Sequence, residues 1–316
     1  MYIHVVFFTV SLFLLWFGSD LIVQAVRKLS VRLNVSQFAT SFIILGVLTS
    51  IPELSIGINS IIGGEPDIFV GNLIGASFTL FALAIPILAI FGGGIQLAHE
   101  LDRRRLAFSL IIALLPAWFV LDGMLTEREG FIVIIAYFIL FYLVEKQKAL
   151  LEKVTDVMRH DKVDGVVILI RILIGAGTVF IASRVIVQEV MYFANLLDIS
   201  LFIVGLLILG IGTNLPELSI TVQSIMKGQK DVAFGDYVGS AAANSLFFGL
   251  LILMQGPFVL SGDSFFLTFL FFSLVLLFFY SFSIWKKNIT RGEGFILVLI
   301  YLIFVTLEMQ ACLSCL

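Results

Sequence analysis

The sequence predicts an all-α integral membrane protein, and three observations carry the prediction. Mean hydropathy is +1.12, and of 316 residues 60% are hydrophobic, 32 are phenylalanine and only 13% are charged. Apolar runs of about 18 residues or more, long enough to cross a hydrocarbon layer of ~30 Å, recur along the chain. Basic residues gather in alternate gaps between those runs. A water-soluble core is excluded by this composition.

Ten spans follow, at approximately 3–26, 36–62, 67–93, 105–122, 130–145, 165–189, 197–226, 231–256, 263–285 and 294–311. The first lacks a basic leader and a small-residue cleavage site, so it reads as a retained helix rather than a signal peptide. The gaps after odd-numbered spans are basic. They hold Arg27, Lys28 and Arg32; Arg103, Arg104 and Arg105; Lys146, Lys148, Lys153, Arg159 and Lys162; Lys227 and Lys230; and Lys286, Lys287 and Arg291. The remaining gaps are mostly acidic, with Glu65, Asp67, Asp122, Glu127, Glu129, Asp198 and Asp263. Basic loops stay in the cytoplasm, which places both termini on the other side. A formal net charge of −3 adds nothing to that pattern. His4, His99 and His160 lie at a chain end or in gaps and read as ordinary residues. Cys312 and Cys315 form a lone CxxC in the tail, read as inert, with a disulfide the alternative in an oxidising compartment.

The chain repeats itself. LGVLTSIPELSIGINSIIGGEPDIFVGNLIGAS at 45–77 aligns without gaps with LGIGTNLPELSITVQSIMKGQKDVAFGDYVGSA at 209–241. Shared positions include Gly46 and Gly210, Thr49 and Thr213, Pro52 and Pro216, Glu53 and Glu217, Gly71 and Gly235, and Gly75 and Gly239. Chance matching of apolar sequence would align Leu with Ile, not these polar and helix-breaking residues. Five spans per copy is an odd number, so the copies are expected to cross the membrane in opposite senses, as in transporters built from inverted repeats. The first repeat is then 1–145 with its motif at 45–80, the second 165–316 with its motif at 209–244, and 146–164 is a cytoplasmic linker.

The motif has a chemical reading. Proline removes a backbone donor and clashes with the carbonyl one turn earlier, so Pro52 and Pro216 are predicted to break helices two and seven. Carbonyls around Gly46–Thr49 and Gly210–Thr213 then need partners from protein, water or a cation. Thr49, Ser50 and Thr213 add hydroxyls, and Glu53 and Glu217 bring charge that is costly inside a membrane unless neutralised by a proton or a metal. Such a set is all hard oxygen, suited to Ca²⁺ or Na⁺ and not to Zn²⁺ or copper. The alternative is a pair of protonated structural acids, which the duplication of the whole Thr-x-x-Pro-Glu frame disfavours. Gly71 and Gly75, with Gly235 and Gly239, predict close packing of helices three and eight against the broken ones. Ser77, Ser240 and Asn244 would then present oxygens to the glutamates. Asp67 and Asp231 are expected as N-caps. Asp236, an acid inside a span, is a further candidate ligand.

These residues resemble the cation/calcium antiporters, and within them the prokaryotic Na⁺/Ca²⁺ exchangers. That family carries a motif like GTSxPE followed by one like DxxxGNxxGSNxxN, or GSNxxD in its second copy. Here the segments read TSIPE with DIFVGNLIGASFTL, then GTNLPE with DVAFGDYVGSAAAN. The resemblance implies a calcium site at Glu53, Glu217, Thr49 and Thr213, and sodium sites drawing on the Gly46 and Gly210 carbonyls, Ser50 and Ser240. This chain departs from the pattern at Ala76, Leu80, Asn214 and Asn244, which removes one formal charge and several oxygens. The family's ion stoichiometry therefore does not transfer.

The expectation is a secondary antiporter exchanging Ca²⁺ for Na⁺ at a mid-membrane site. Its partners are the two ions and the lipid bilayer, it needs no cofactor, nucleic acid or second subunit, and it sits in a prokaryotic plasma membrane. No phosphate-binding loop is present to couple ATP, and neither a nucleophile with a paired base nor an HExxH motif suggests a hydrolase. Two alternatives remain beside it: an exchanger of the same fold coupled to H⁺ or moving another divalent cation, and a homologue that binds cations without transporting them.

Overall fold

A computed structural model describes residues 2–32, 42, 46–96, 103–145, 162–227, 230–261, 265–285 and 288–314. The helices are α1 (Tyr2–Arg32), α2 (Gly46–Thr49), α3 (Ile51–Ile62), α4 (Asp67–Gly92), α5 (Arg103–Phe119), α6 (Glu127–Glu145), α7 (Lys162–Leu197), α8 (Leu201–Gly212), α9 (Leu215–Lys227), α10 (Lys230–Gln255), α11 (Phe265–Trp285) and α12 (Arg291–Ser314). Among the described residues, six helices are long and apolar enough to cross a membrane: α4, α5 with the turn to Asp122, α7 from Val166, α10 from Ala233, α11 and α12. Tyr2–Gly18, α3 and α8 are shorter apolar helices. The chain is an integral membrane protein.

Helix boundaries follow local chemistry. Thr126 N–H donates to Glu129 Oε2 at 2.6 Å at the start of α6, and Thr290 N–H donates to Glu293 Oε2 at 2.7 Å at the start of α12. The second is a reciprocal capping box, with Glu293 N–H donating to Thr290 Oγ1, while at the first the Thr126 hydroxyl also donates to the Glu129 carboxylate; the offset that aligns the two motifs carries the first pair onto the second. Span six runs to Leu197, past the expected end at 189. Glu189, where the expected span ended, lies inside the helix with His4 beside it, whose Nδ1 lies 2.8 Å from its Oε2. The helix stops at Asp198, which takes a left-handed φ of 52° that Asp tolerates better than most residues. Ser200 then caps α8 by accepting from Ile203 N–H at 3.2 Å. Asp67 is not the N-cap of α4: Pro66 holds that position, and the Asp67 carboxylate accepts from the backbone N–H and the hydroxyl of Ser261. A buried acid here gains more from two donors on another segment than from its own helix end. The side chain of Asp231 lies outside the described residues, as do His99, His160, the linker at 146–161 and Cys315.

Two short antiparallel ladders join the halves of the chain. β1 (Ile95–Gln96) pairs with β4 (Asn288–Ile289), and β2 (Met124–Leu125) pairs with β3 (Phe258–Val259). The larger apolar core gathers α4, α5, α6, α10, α11 and α12 around Phe78, Phe81, Phe248, Phe272 and Phe304. A second, smaller core holds Leu15 of α1, Ile56 of α3, Ile186 and Val190 of α7, and Leu209 of α8. α1 runs along α7, where a Cβ added at Gly18 would lie 2.9 Å from Gly175 O.

Candidate functional site: buried carboxylates between four helices

The helical chain is interrupted at Ser50 (φ −83°, ψ 10°), between α2 and α3, with Pro52 in the first turn of α3. It is interrupted again at Thr213 and Asn214, between α8 and α9, with Pro216 the second residue of α9. Proline is tolerated in a first turn because the N–H it lacks has no helical acceptor there. Each interruption therefore delivers a glutamate into the first turn of the following helix. Glu53 is 1% exposed and Glu217 fully buried.

Helices α4 and α10 close the site from either side by backbone contact. A Cβ at Gly75 would lie 2.1 Å from Leu206 O, and one at Gly239 would lie 2.1 Å from Phe42 O. A Cβ at Gly46 would lie 2.5 Å from the carbonyl carbon of Gly239, and one at Gly210 would lie 2.6 Å from that of Gly75. No side chain fits at any of the four. The contacts are reciprocal: moving both partners to their aligned positions in the other repeat turns each contact into its counterpart.

Hydrogen bonds obey the same exchange. Ser50 Oγ donates to Gly46 O at 3.0 Å and to Ser240 O at 3.4 Å, while Asn214 Nδ2 donates to Gly210 O at 2.5 Å and to Ala76 O at 3.1 Å. The Gly46 and Gly210 carbonyls are therefore not bare, as the proline argument alone suggested. Each is covered by a side chain four residues on. Thr49 Oγ1 lies 3.2 Å from Asp236 Oδ1 and 2.8 Å from Ser240 Oγ; in the other half Thr213 Oγ1 donates to Asn72 Oδ1 at 3.4 Å and to Leu209 O at 3.0 Å. Asn244 Nδ2 donates to Ser77 Oγ at 3.3 Å.

Acceptor oxygens are left over. Glu53 Oε2, both carboxylate oxygens of Glu217, Asn214 Oδ1 and Asn244 Oδ1 are buried without a hydrogen-bond partner. Glu53, Glu217 and Asp236 are close enough to repel one another. Among the described residues, no three His, Cys, Asp or Glu side chains converge tightly enough to form a ready metal cage. Any cation here must be held by carboxylates together with hydroxyl, amide and carbonyl oxygens, the donor set of a hard ion.

A family profile described as sodium/calcium exchanger protein matches residues 3–144 and 167–310. The chain belongs to that family. Membership makes it a membrane transporter of the cation-exchange class and not an enzyme. The sodium/calcium exchanger MaX1 of Methanosarcina acetivorans is 25% identical to this exchanger over 91% of the chain and 93% of its own. The inner membrane protein YrbG of Escherichia coli is 24% identical over 74% of each. The solved structure of the sodium-calcium exchanger NCX_Mj superposes with a TM-score of 0.71 at 23% identity, covering 96% of this exchanger and 97% of that chain. At that identity the likeness concerns the fold.

The twelve residues named from the sequence lie on α2, α3, α4, α8, α9 and α10 and at the two interruptions. Ser77 and Asn244 form their own pair, bonded to each other. One residue of this polar cluster was not expected from the sequence: Asn72, which meets Thr213. Its signal was available, because Asn72 aligns with Asp236 in the repeat. A second omission is Tyr237, whose hydroxyl bonds Thr221 one turn beyond Glu217 and is 3.4 Å from Glu217 O. It ties α9 to α10, and in the first copy Leu73 and Gly57 occupy the aligned positions.

Proposed function

We propose that this protein exchanges Ca²⁺ for Na⁺ by alternating access, with both ions using a mid-membrane site built around Glu53 and Glu217. The observation that carries the reading is the surplus of buried acceptor oxygens. A purely structural pair of acids is expected to be closed by donors. Here one oxygen of Glu53, both of Glu217 and two amide oxygens have none, the arrangement that a dehydrated cation completes.

In this reading Thr49 and Thr213 complete the calcium site. Ser50, Ser240, Asn214 and the Gly46 and Gly210 carbonyls supply sodium ligands, and Ser77, Asn244 and Asp236 line the approaches. The chain crosses the membrane ten times as two inverted five-helix repeats, 1–145 and 165–316, with helices two and seven broken and 146–164 in the cytoplasm. Both termini lie outside a prokaryotic plasma membrane, and a single chain suffices. Reciprocal contacts at a constant offset support two equivalent halves, and alternate basic loops support the orientation. Helices that slide against each other about a shared site give access to each side in turn.

Ala76 and Leu80 favour a second reading, since neither carries a side-chain oxygen where the family pattern has one. A site with fewer ligands suits coupling to H⁺, or another divalent cation. Uptake of radioactive Ca²⁺ into proteoliposomes under an outward Na⁺ gradient, repeated with a pH gradient, decides between them. Exchange for Na⁺ is expected, and Glu53→Gln or Glu217→Gln is expected to reduce uptake to background. Uptake driven by pH alone transfers the coupling to H⁺. Ca²⁺ binding without flux under either gradient makes the protein a cation-binding homologue.

A further inference from the structure

α7 carries a charge where a helix in lipid has little use for one. Its apolar stretch, Val166–Leu197, is 32 residues long, and only 28% of its most apolar window is buried. A hydrocarbon layer of ~30 Å spans about 20 residues of helix. Wherever that layer lies along the stretch, it includes residues 178–185. Arg184 is among them and is exposed. Arg171, the other arginine of the stretch, is half-buried and falls at the edge of a layer centred on it. Among the described residues neither arginine has an ion-pair partner; the contact of that kind in α7 is the one between Glu189 and His4.

Arg184 is not the only polar residue on its face. Successive residues of a helix turn by about 100°, so Gln188 and Asn195 fall within about 40° of it, and both are exposed. Ser183, Ile186, Val187 and Val190 make up the buried face, packed against α1 and α3. The polar residues therefore form a stripe on the outer face that climbs from Arg184 towards the end of α7 at Leu197, about 20 Å away along the axis. The same end has the chemistry of a membrane surface: Tyr192 stacks on His4 with ring centroids 3.7 Å apart, and a tyrosine with one polar end favours headgroup level.

A guanidinium keeps its proton, and leaving it unpaired in hydrocarbon is costly. Lipid supplies the acceptor that the described chain does not. A headgroup phosphate takes two parallel N–H bonds from a guanidinium, and the two meet by bending of the side chain towards the nearer surface and local thinning of the bilayer.

We propose that Arg184, with Gln188 and Asn195 above it, binds the phosphate of a phospholipid in the leaflet nearer the end of α7. Anionic lipid is preferred, because the headgroup of phosphatidylcholine brings a cation of its own to compete with the guanidinium. The site is independent of which ions the exchanger carries.

The test uses full-length protein in nanodiscs of phosphatidylcholine with or without a minor fraction of phosphatidylglycerol. Native mass spectrometry reads the lipids retained, and thermal unfolding reads what they contribute. Wild type is expected to retain phosphatidylglycerol in preference and to melt higher in its presence. Arg184→Gln should reduce the preference about fivefold. Arg184→Lys should keep part of it, since an ammonium meets phosphate as a point charge. Arg184→Leu reverses a sign: in phosphatidylcholine alone it should melt no lower than wild type, because a charge in hydrocarbon has been removed, and phosphatidylglycerol should add nothing further. An undiminished preference in Arg184→Gln overturns the inference, as does an equal loss in Arg171→Gln, which would reduce the effect to net charge. A fall in melting temperature of Arg184→Leu in both lipids overturns it in favour of a structural role within the chain. A dimer formed by wild type and lost in Arg184→Gln overturns it in favour of a second copy.

Discussion

Helices α4 and α7 are similarly apolar, and they end up in opposite surroundings. Of the most apolar window of α4, 83% is buried, and of that of α10, 78%; for α7 the share is 28%. Along α1, which packs on α7, Phe7, Phe13 and Phe17 are at least half exposed. In water a helix hydrophobic all round must be buried; in a bilayer the lipid is as good a solvent for Leu and Phe as a protein core is, so apolarity does not decide which helix is central. Small residues decide it. Gly71, Gly75, Ala76 and Ser77 in α4, and Gly239, Ser240, Ala241, Ala242 and Ala243 in α10, let backbones touch, and backbone contact gains packing that lipid cannot supply. The lipid-facing pair instead meets through larger side chains and one close glycine, Gly18.

The largest expected effect tests the central side of this contrast. Gly239→Ala or Gly75→Ala forces a methyl to within 2.1 Å of a backbone carbonyl, and no rotamer relieves that. Loss of folded protein is expected, at a cost on the order of 3 kcal/mol or more, read as the disappearance of the monodisperse peak in size-exclusion chromatography. Gly18→Ala meets Gly175 O at 2.9 Å and otherwise side chains of α7, which can move. A cost of about 1 kcal/mol is expected, seen as a fall of a few degrees in melting temperature with protein yield retained. If Gly18→Ala proves as damaging as Gly239→Ala, the distinction between central and peripheral helices fails.

Smaller effects sharpen it. Tyr237→Phe removes a hydroxyl that bonds Thr221 and is expected to cost about 1 kcal/mol, with a measurable loss of thermal stability because the pair is fully buried. His4→Gln, which breaks the contact with Glu189 and the ring stack on Tyr192 at 3.7 Å, is expected to cost less than about 1 kcal/mol, since His4 is half-buried at the end of its helix. The half-saturating ion concentration should not change, because His4 touches nothing at the carboxylates.

Much of the site was legible in the sequence because its chemistry is out of place there. A glutamate beside a proline inside an apolar run needs a reason, and meeting the same frame twice supplied one. Gly46, Thr49, Glu53 and their counterparts could be named from that alone. What stayed hidden was ordinary in composition. Asn72 is a common residue in a glycine-rich helix, and only its alignment with Asp236 marks it. The repeat was visible over the motifs and invisible beyond them, yet Thr126 with Glu129 and Thr290 with Glu293 pair at helix starts at the same offset. Two matching residues in a short loop carry too little information to stand out from chance. The interhelical bond that took Asp67 from its predicted N-cap to Ser261 depends on which loops meet in space, and no local pattern encodes that.

The glycine contacts also bear on what kind of unit this chain is. Gly75 rests on Leu206, Gly239 on Phe42, Gly46 on Gly239 and Gly210 on Gly75, so neither half contains the surface against which its own helices close. A fragment ending at 145 would own one glutamate and would lack the Gly239 backbone on which Gly46 closes. Duplication here did not yield two modules side by side; it yielded two incomplete pieces that became inseparable, and an altered glycine in one piece is judged by a carbonyl inherited with the other.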